Sequence, residues 1–72
     1  MANAGEISEF DLVELRESFE TAPAGATGGV LDLFDGDMAM VEFTSMPADL
    51  GLDRILVVPT DRLRIVEPAP RH

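Results

Sequence analysis

Short apolar segments alternate with polar, turn-forming segments along this 72-residue chain. An apolar run of four to eight residues that is bounded by Gly, Pro or Asp is typical of a β-strand. The pattern therefore predicts five strands and one short helical turn. The predicted strands are 10–15, 28–34, 37–43, 54–58 and 64–66, and the predicted helical turn is 59–63. The continuous apolar run in 54–58 predicts a central strand.

The clearest of these elements is a β-hairpin between Gly28 and Phe43, with its turn at Asp35-Gly36. Asp-Gly between two apolar runs favours a two-residue type I′ turn, because both central residues need a positive φ and Gly adopts one without steric cost. A loop of this length predicts the cross-strand pairs Phe34–Asp37, Leu33–Met38, Leu31–Met40 and Val30–Val41.

This register predicts two apolar faces, because successive side chains of a strand point to opposite sides. One face contains Val30, Ala39, Val41 and Phe43, and is interrupted by Asp32. The other contains Leu31, Leu33, Met38 and Met40. This second face is covered by another part of the chain, is altered by a strand bulge, or is a contact surface. Met is frequent at adaptable binding surfaces, so these four residues are the candidate partner-binding site.

The first apolar segment is compatible with two structures. As a strand, it places Asp11, Val13 and Leu15 at period-two spacing, with Val13 and Leu15 inward. As a helix, it is capped by Ser8 and presents Leu12, Leu15 and Phe19 on one side. We favour the strand.

Two polar segments separate the strands. The first, 16–27, is low in hydrophobicity and contains Pro and Gly, and the second, 44–53, is rich in turn-forming residues. Both are predicted to be loops. Residues 1–9 and the Pro-containing tail 67–72 are predicted to be flexible, which leaves one domain at 10–66.

The predicted order of elements resembles that of an SH3-like barrel: strand, long loop, hairpin, loop, strand, helical turn, strand. Within that order, Gly28-Gly29-Val30-Leu31-Asp32-Leu33, Val41-Glu42-Phe43 and Val58-Pro59-Thr60-Asp61-Arg62-Leu63 resemble motifs of a family of small bacterial SH3-like domains of unknown function. The resemblance implies an all-β, five-stranded barrel with one 3₁₀ turn before the last strand. It supplies no catalytic residues.

More distantly, the Val-Glu-Phe segment and the apolar strand after it are similar to the SH3-like barrel of nitrile hydratase β subunits, which is an assembly module. The chain has no Trp or Tyr. It therefore differs from SH3 domains that bind Pro-rich peptides, because those need an aromatic-lined groove.

The charge is strongly negative, with 14 acidic and five basic residues and a formal net charge of -9. Nucleic-acid binders usually present a basic stripe to the phosphates, so we expect no nucleic-acid partner. A basic protein would be attracted, although acidity also serves solubility alone. The sequence contains neither a long apolar segment nor a signal-like N-terminus, so we expect a cytoplasmic protein without a membrane partner.

Groups suited to catalysis are scarce. The chain has no Cys and no Lys, and its one His is the terminal His72. Ser8, Ser18 and Ser45 therefore lack a plausible general base. Asp32, Asp35 and Asp37 do not follow a calcium-loop spacing. We expect no enzymatic activity, no catalytic residue, no cofactor and no metal.

Two hypotheses of function follow. The first is an assembly or protein-interaction module that binds itself or a larger protein through Leu31, Leu33, Met38 and Met40. The alternative is an acidic antitoxin or immunity-type inhibitor of a basic toxin. A catalytic domain is a third hypothesis, which a deep carboxylate-lined pocket would support.

Overall fold

Five antiparallel strands form one sheet in the computed structural model, which describes residues 7–35 and 37–69. The order across the sheet is β4-β3-β2-β1-β5. In the described part of the chain β4 and β5 are the two edges and do not pair, so the sheet is open. The strands are β1 Leu12–Leu15, β2 Thr27–Phe34, β3 Met38–Glu42, β4 Ile55–Pro59 and β5 Leu63–Glu67. Two 3₁₀ segments, η1 Ala48–Arg54 and η2 Thr60–Arg62, precede β4 and β5.

The first apolar segment is a strand, as the favoured prediction has it. Asp11, Val13 and Leu15 are buried and alternate with less buried neighbours, which is the period of two that a sheet requires. Phe10 has a φ of 71°. A helix that begins at Ser8 would need a negative φ there, so this backbone geometry excludes the helical alternative.

The core lies on one side of the sheet, and each strand contributes to it. Its buried apolar residues are Ile7, Val13, Leu15, Ala22, Ala26, Val30, Ala39, Val41, Phe43, Met46, Val58 and Leu63. All four apolar residues of the predicted face Val30, Ala39, Val41 and Phe43 are among them. Asp32, which was predicted on the same face, is instead exposed, because a bulge in the hairpin places it opposite Met40.

The predicted two-residue hairpin loop is wrong. Phe34 pairs with Met38, so residues 35–37 form a three-residue connection, in which Asp35 has a φ of 56° and Gly36 lies outside the described residues. Val30 pairs with Val41 as predicted, because a bulge at Leu31 absorbs the extra residue. The three predicted pairs nearer the turn are therefore wrong by one position, since a bulge opposes two residues of one strand to one of the other.

Gly28 lies where β2 passes close to the backbone of residues 42 and 43. A Cβ at this position would lie 2.0 Å from the carbonyl oxygen of Glu42 and 2.7 Å from Cα of Phe43. No side chain fits in that space, so β2 can approach the end of β3 only with glycine here.

A buried aspartate joins the two ends of the described chain. The carboxylate of Asp11 is inaccessible to solvent and accepts the N–H of Ser8 through Oδ2 (2.8 Å) and the N–H of Ala69 through Oδ1 (2.7 Å). Ile7 is buried in the core, and β5 continues to Glu67. Packing thus extends beyond the predicted domain limits of 10 and 66, while residues 1–6 and 70–72 lie outside the described residues.

The two predicted loops differ in how much structure they contain. The 16–26 segment contains a bridge between Phe19 and Ala22, and the guanidinium of Arg62 lies over the Phe19 ring at 6.0 Å. The 44–53 segment contains most of η1, whose two halves meet at Gly51 with φ 61°. The predicted helical turn before the last strand is present as η2.

Candidate partner-binding face

The side of β2, β3 and β4 that points away from the core forms one continuous surface, which we call the outer face. On β3, Met38, Met40 and Glu42 alternate with the buried Ala39 and Val41. Directly paired residues of adjacent strands share a face, so the register assigns the rest. The outer face comprises Asp32, Phe34, Met38, Met40, Glu42, Ile55, Val57 and Pro59.

Six of these eight side chains are apolar and occupy neighbouring positions on three strands. Val57 is 42% exposed and Phe34 is 38% exposed, while Met38, Met40, Ile55 and Pro59 are partly exposed. Single exposed hydrophobic residues are common on any protein surface. An adjoining set bounded by charged residues is less common and is typical of a contact surface.

In the structure, the four residues of the predicted site lie in different places. Met38 and Met40 lie on the outer face. Leu33 is opposite Ala39 and packs against the core, because the bulge moves it to the inner side. Leu31 lies at the bulge and is 41% exposed, next to the backbone hydrogen bond from Phe10 N–H to Val30 C=O. The four residues therefore do not share one face.

Four apolar residues of the outer face were missed from the sequence: Phe34, Ile55, Val57 and Pro59. The run Ile55–Val58 predicts a central strand, because an unbroken apolar run suggests burial on both sides. That prediction is wrong, since β4 is an edge strand. Its run is unbroken because the inner face contacts the core through Val58 while the outer face is also apolar at Val57. The polar segments on either side of β4 do not indicate whether the strand is central or lies at an edge.

The free edge of β4 offers few N–H donors. Phe43 N–H donates to Arg54 C=O and Thr60 N–H donates to Asp37 C=O, both at 2.9 Å. Bonding alternates along an antiparallel pair, so Leu56 and Val58 also bond toward β3, and Ile55, Val57 and Pro59 face the edge. Ile55 N–H donates to Leu52 C=O, and Pro59 has no N–H. Val57 thus supplies the donor along this edge, and a terminal Pro is a common guard against strand addition.

The charges of the outer face differ between its two ends. At the end distant from the hairpin turn, Glu42 Oε2 accepts a hydrogen bond from Arg54 Nη2 at 3.0 Å. Nearer the turn, Asp32 lies opposite Met40, and its Oδ1 accepts the N–H of Leu33 at 2.8 Å. Asp35 and Asp37 are exposed in the connection beyond Phe34 and Met38. The end near the turn therefore has three carboxylates, and the opposite end is neutralised.

The three serines weighed for catalysis differ in their surroundings. Ser45 Oγ accepts the N–H of Thr27 at 2.9 Å, and Ser8 N–H donates to Asp11. Ser18 is exposed, and His72 lies outside the described residues. Residues 7–35 and 37–69 enclose no pocket for a small molecule, and no three metal-binding side chains among them are grouped to hold an ion.

Within the same described ranges, no helix has the length and apolar character needed to cross a membrane. Comparisons of the chain with protein-family models, with curated proteins and with solved structures found no match.

Proposed function

We propose that this chain is a non-catalytic protein-interaction module that binds a partner protein through its outer face. The observation that supports this most directly is the adjacency of six apolar side chains on β2, β3 and β4, with Val57 and Phe34 the most exposed. A domain of this size has a small core, and contact with another protein is a common additional source of stability.

The partner contacts side chains of the face and does not extend the sheet. The carbonyls of Ile55, Val57 and Pro59 point to the free edge of β4, but among the described residues Val57 is its one N–H donor, which disfavours a regular ladder with an added strand. The face, in contrast, offers two Met side chains, whose flexible thioethers adapt to the shape of a contacting surface.

We also propose that the fold is an SH3-like barrel. Its support is the pairing of β5 with β1, the long segment between β1 and β2, and the 3₁₀ turn immediately before β5. The bulge at Leu31 and the close approach at Gly28 are the kind of irregularities that bend one sheet into two halves.

The experiment that tests the interaction compares two Val→Asp variants of the full chain. Val57→Asp places a charge in the outer face. Val66→Asp is the matched control, because Val66 lies in the other edge strand and is 47% exposed, close to the 42% of Val57. Each variant and the wild type are immobilised, incubated with lysate of the source organism, and the retained proteins are identified by mass spectrometry.

We expect a protein that the wild type and Val66→Asp retain and that Val57→Asp loses. Circular dichroism and amide spectra of both variants establish that each is folded. Equal retention by folded Val57→Asp and wild type would contradict binding through the outer face, and so would the absence of any protein enriched by the wild type.

A second candidate function is inhibition of a basic toxin. It is favoured by the net charge of -9 together with the three carboxylates near the hairpin turn. Co-expression with a toxic product of a neighbouring gene tests it. Rescue of growth by the wild type supports this function, and failure to rescue contradicts it.

A further inference from the structure

The carboxylates nearest the hairpin turn have no basic partner in the described part of the chain. Its two ion pairs are Glu42–Arg54 and Glu14–Arg64, and neither includes Asp32, Asp35 or Asp37. These three acidic residues adjoin the apolar side chains of Phe34, Met38 and Met40. The outer face therefore combines an apolar centre with a negative border at one end.

From this arrangement, and resting on the proposed function, we propose that the occupant of the outer face is a partner protein whose apolar contact surface is flanked by Arg or Lys. Asp32 is the best-placed receptor for such a side chain. Its Oδ1 is held by Leu33 N–H, and it lies across from Met40. The aliphatic stem of an Arg packs on Met40 while its guanidinium pairs with the carboxylate.

Charge also argues against a second copy of this chain as the occupant. Each copy has a formal net charge of -9. In a two-fold dimer both copies contribute the same patch, so two sets of three carboxylates enter one contact region. Like charges in an interface disfavour the complex, whereas a basic border on the partner neutralises them.

The test uses the full chain and two synthetic peptides that share a short Val and Leu centre. One peptide has Arg on both sides of the centre, and the other has Glu at each of those positions. Binding is followed through the backbone amide signals of Asp32, Met40 and Val57 during titration, at about 0.05 M and about 0.5 M salt. Sedimentation of the chain alone at both salt concentrations measures self-association.

We expect the Arg peptide to shift the signals of the outer face and the Glu peptide to leave them unchanged. Removing an exposed ion pair weakens binding by roughly 1.5- to 5-fold. The triple variant Asp32→Asn, Asp35→Asn, Asp37→Asn is therefore expected to bind the Arg peptide on the order of 10-fold more weakly than wild type. High salt should have a similar effect on the wild type.

A matched triple variant tests whether binding depends on the position of the three carboxylates or only on the net charge of the chain. Glu17→Gln, Glu20→Gln and Asp49→Asn also remove three negative charges, but from exposed positions in the 16–26 segment and η1. We expect this variant to bind the Arg peptide within about 2-fold of wild type, because these residues are not part of the outer face and exposed charges are screened by salt.

The outcomes distinguish this inference from the proposed function. Three results would overturn the basic partner but leave the proposed function in place. They are equal binding of both peptides, equal weakening by the two triple variants, and a dimer that strengthens with salt. If the Arg peptide binds without shifting the amide signals of Met40 and Val57, the outer face is not the binding site. That result would overturn the proposed function as well.

Discussion

The inner and outer faces of β3 are both apolar, but they differ in the type of residue. The inner side of this strand has Ala39 and Val41, which are fully buried. The outer face has Met38 and Met40, which are partly exposed. Branched side chains have few rotamers and fill a fixed shape, whereas Met adapts to its surroundings. The inner face is therefore suited to a single packing and the outer face to contact with another molecule.

The largest expected difference between the faces is in the free energy of unfolding. Phe43→Ala removes the largest fully buried side chain and is expected to cost about 3–5 kcal/mol. Met40→Ala, on the outer face, is expected to cost less than about 1 kcal/mol. Urea unfolding followed by circular dichroism measures both. Similar costs would mean that the outer face is packed as tightly as the core, and would contradict the comparison.

Two adjacent glycines provide a second comparison. Gly28→Ala forces a Cβ into the backbone of Glu42 and Phe43, and is expected to destabilise the domain by about 3 kcal/mol. At Gly29 nothing lies within 4 Å of the added Cβ. Gly29→Ala is expected to stabilise the domain by about 0.5–1 kcal/mol, because Gly weakens a strand. Thermal unfolding of the two variants checks the signs, and a stabilising Gly28→Ala would be inconsistent with the close approach of β2 and β3.

The smallest of these differences concerns Asp11, which accepts two backbone N–H groups, and Asp32, which accepts one. Asp11→Asn is expected to cost about 1–3 kcal/mol, because the amide replaces one buried acceptor with a donor. Asp32→Asn is expected to change stability by less than about 0.5 kcal/mol, since the site is exposed. Hydrogen exchange provides the local measurement. Protection of the Ser8 and Ala69 amides should fall in Asp11→Asn, and unchanged protection would show that the carboxylate does not hold these ends.

The sequence predicts the strands of this domain better than their arrangement. Element types and the inner face follow from period-two patterning, and the Val30–Val41 pair is correct. The bulge at Leu31 could not be predicted, because no Gly or Pro marks it. That one residue decides the side on which Leu33 lies. Sequence patterning therefore predicted Leu33, Met38 and Met40 on one face, whereas in the structure Leu33 lies on the opposite face from the two Met residues.

The remaining features depend on long-range contacts. An unbroken apolar run is compatible with both a central strand and an edge strand with two apolar faces, so the position of β4 could not be read from Ile55–Val58. Asp11 gave a partial signal through its spacing with Val13 and Leu15. Its bond to Ala69, 58 positions later, has no local signature.

The Asp11 carboxylate also determines the path of the chain at the limits of the domain. Because one side chain bonds to the backbone at both Ser8 and Ala69, the chain enters and leaves the fold within the reach of a single carboxylate. Domains with adjacent termini can be inserted into a surface loop of another protein without separating the two halves of their host. The geometry thus makes this fold compatible with insertion as well as with end-to-end fusion.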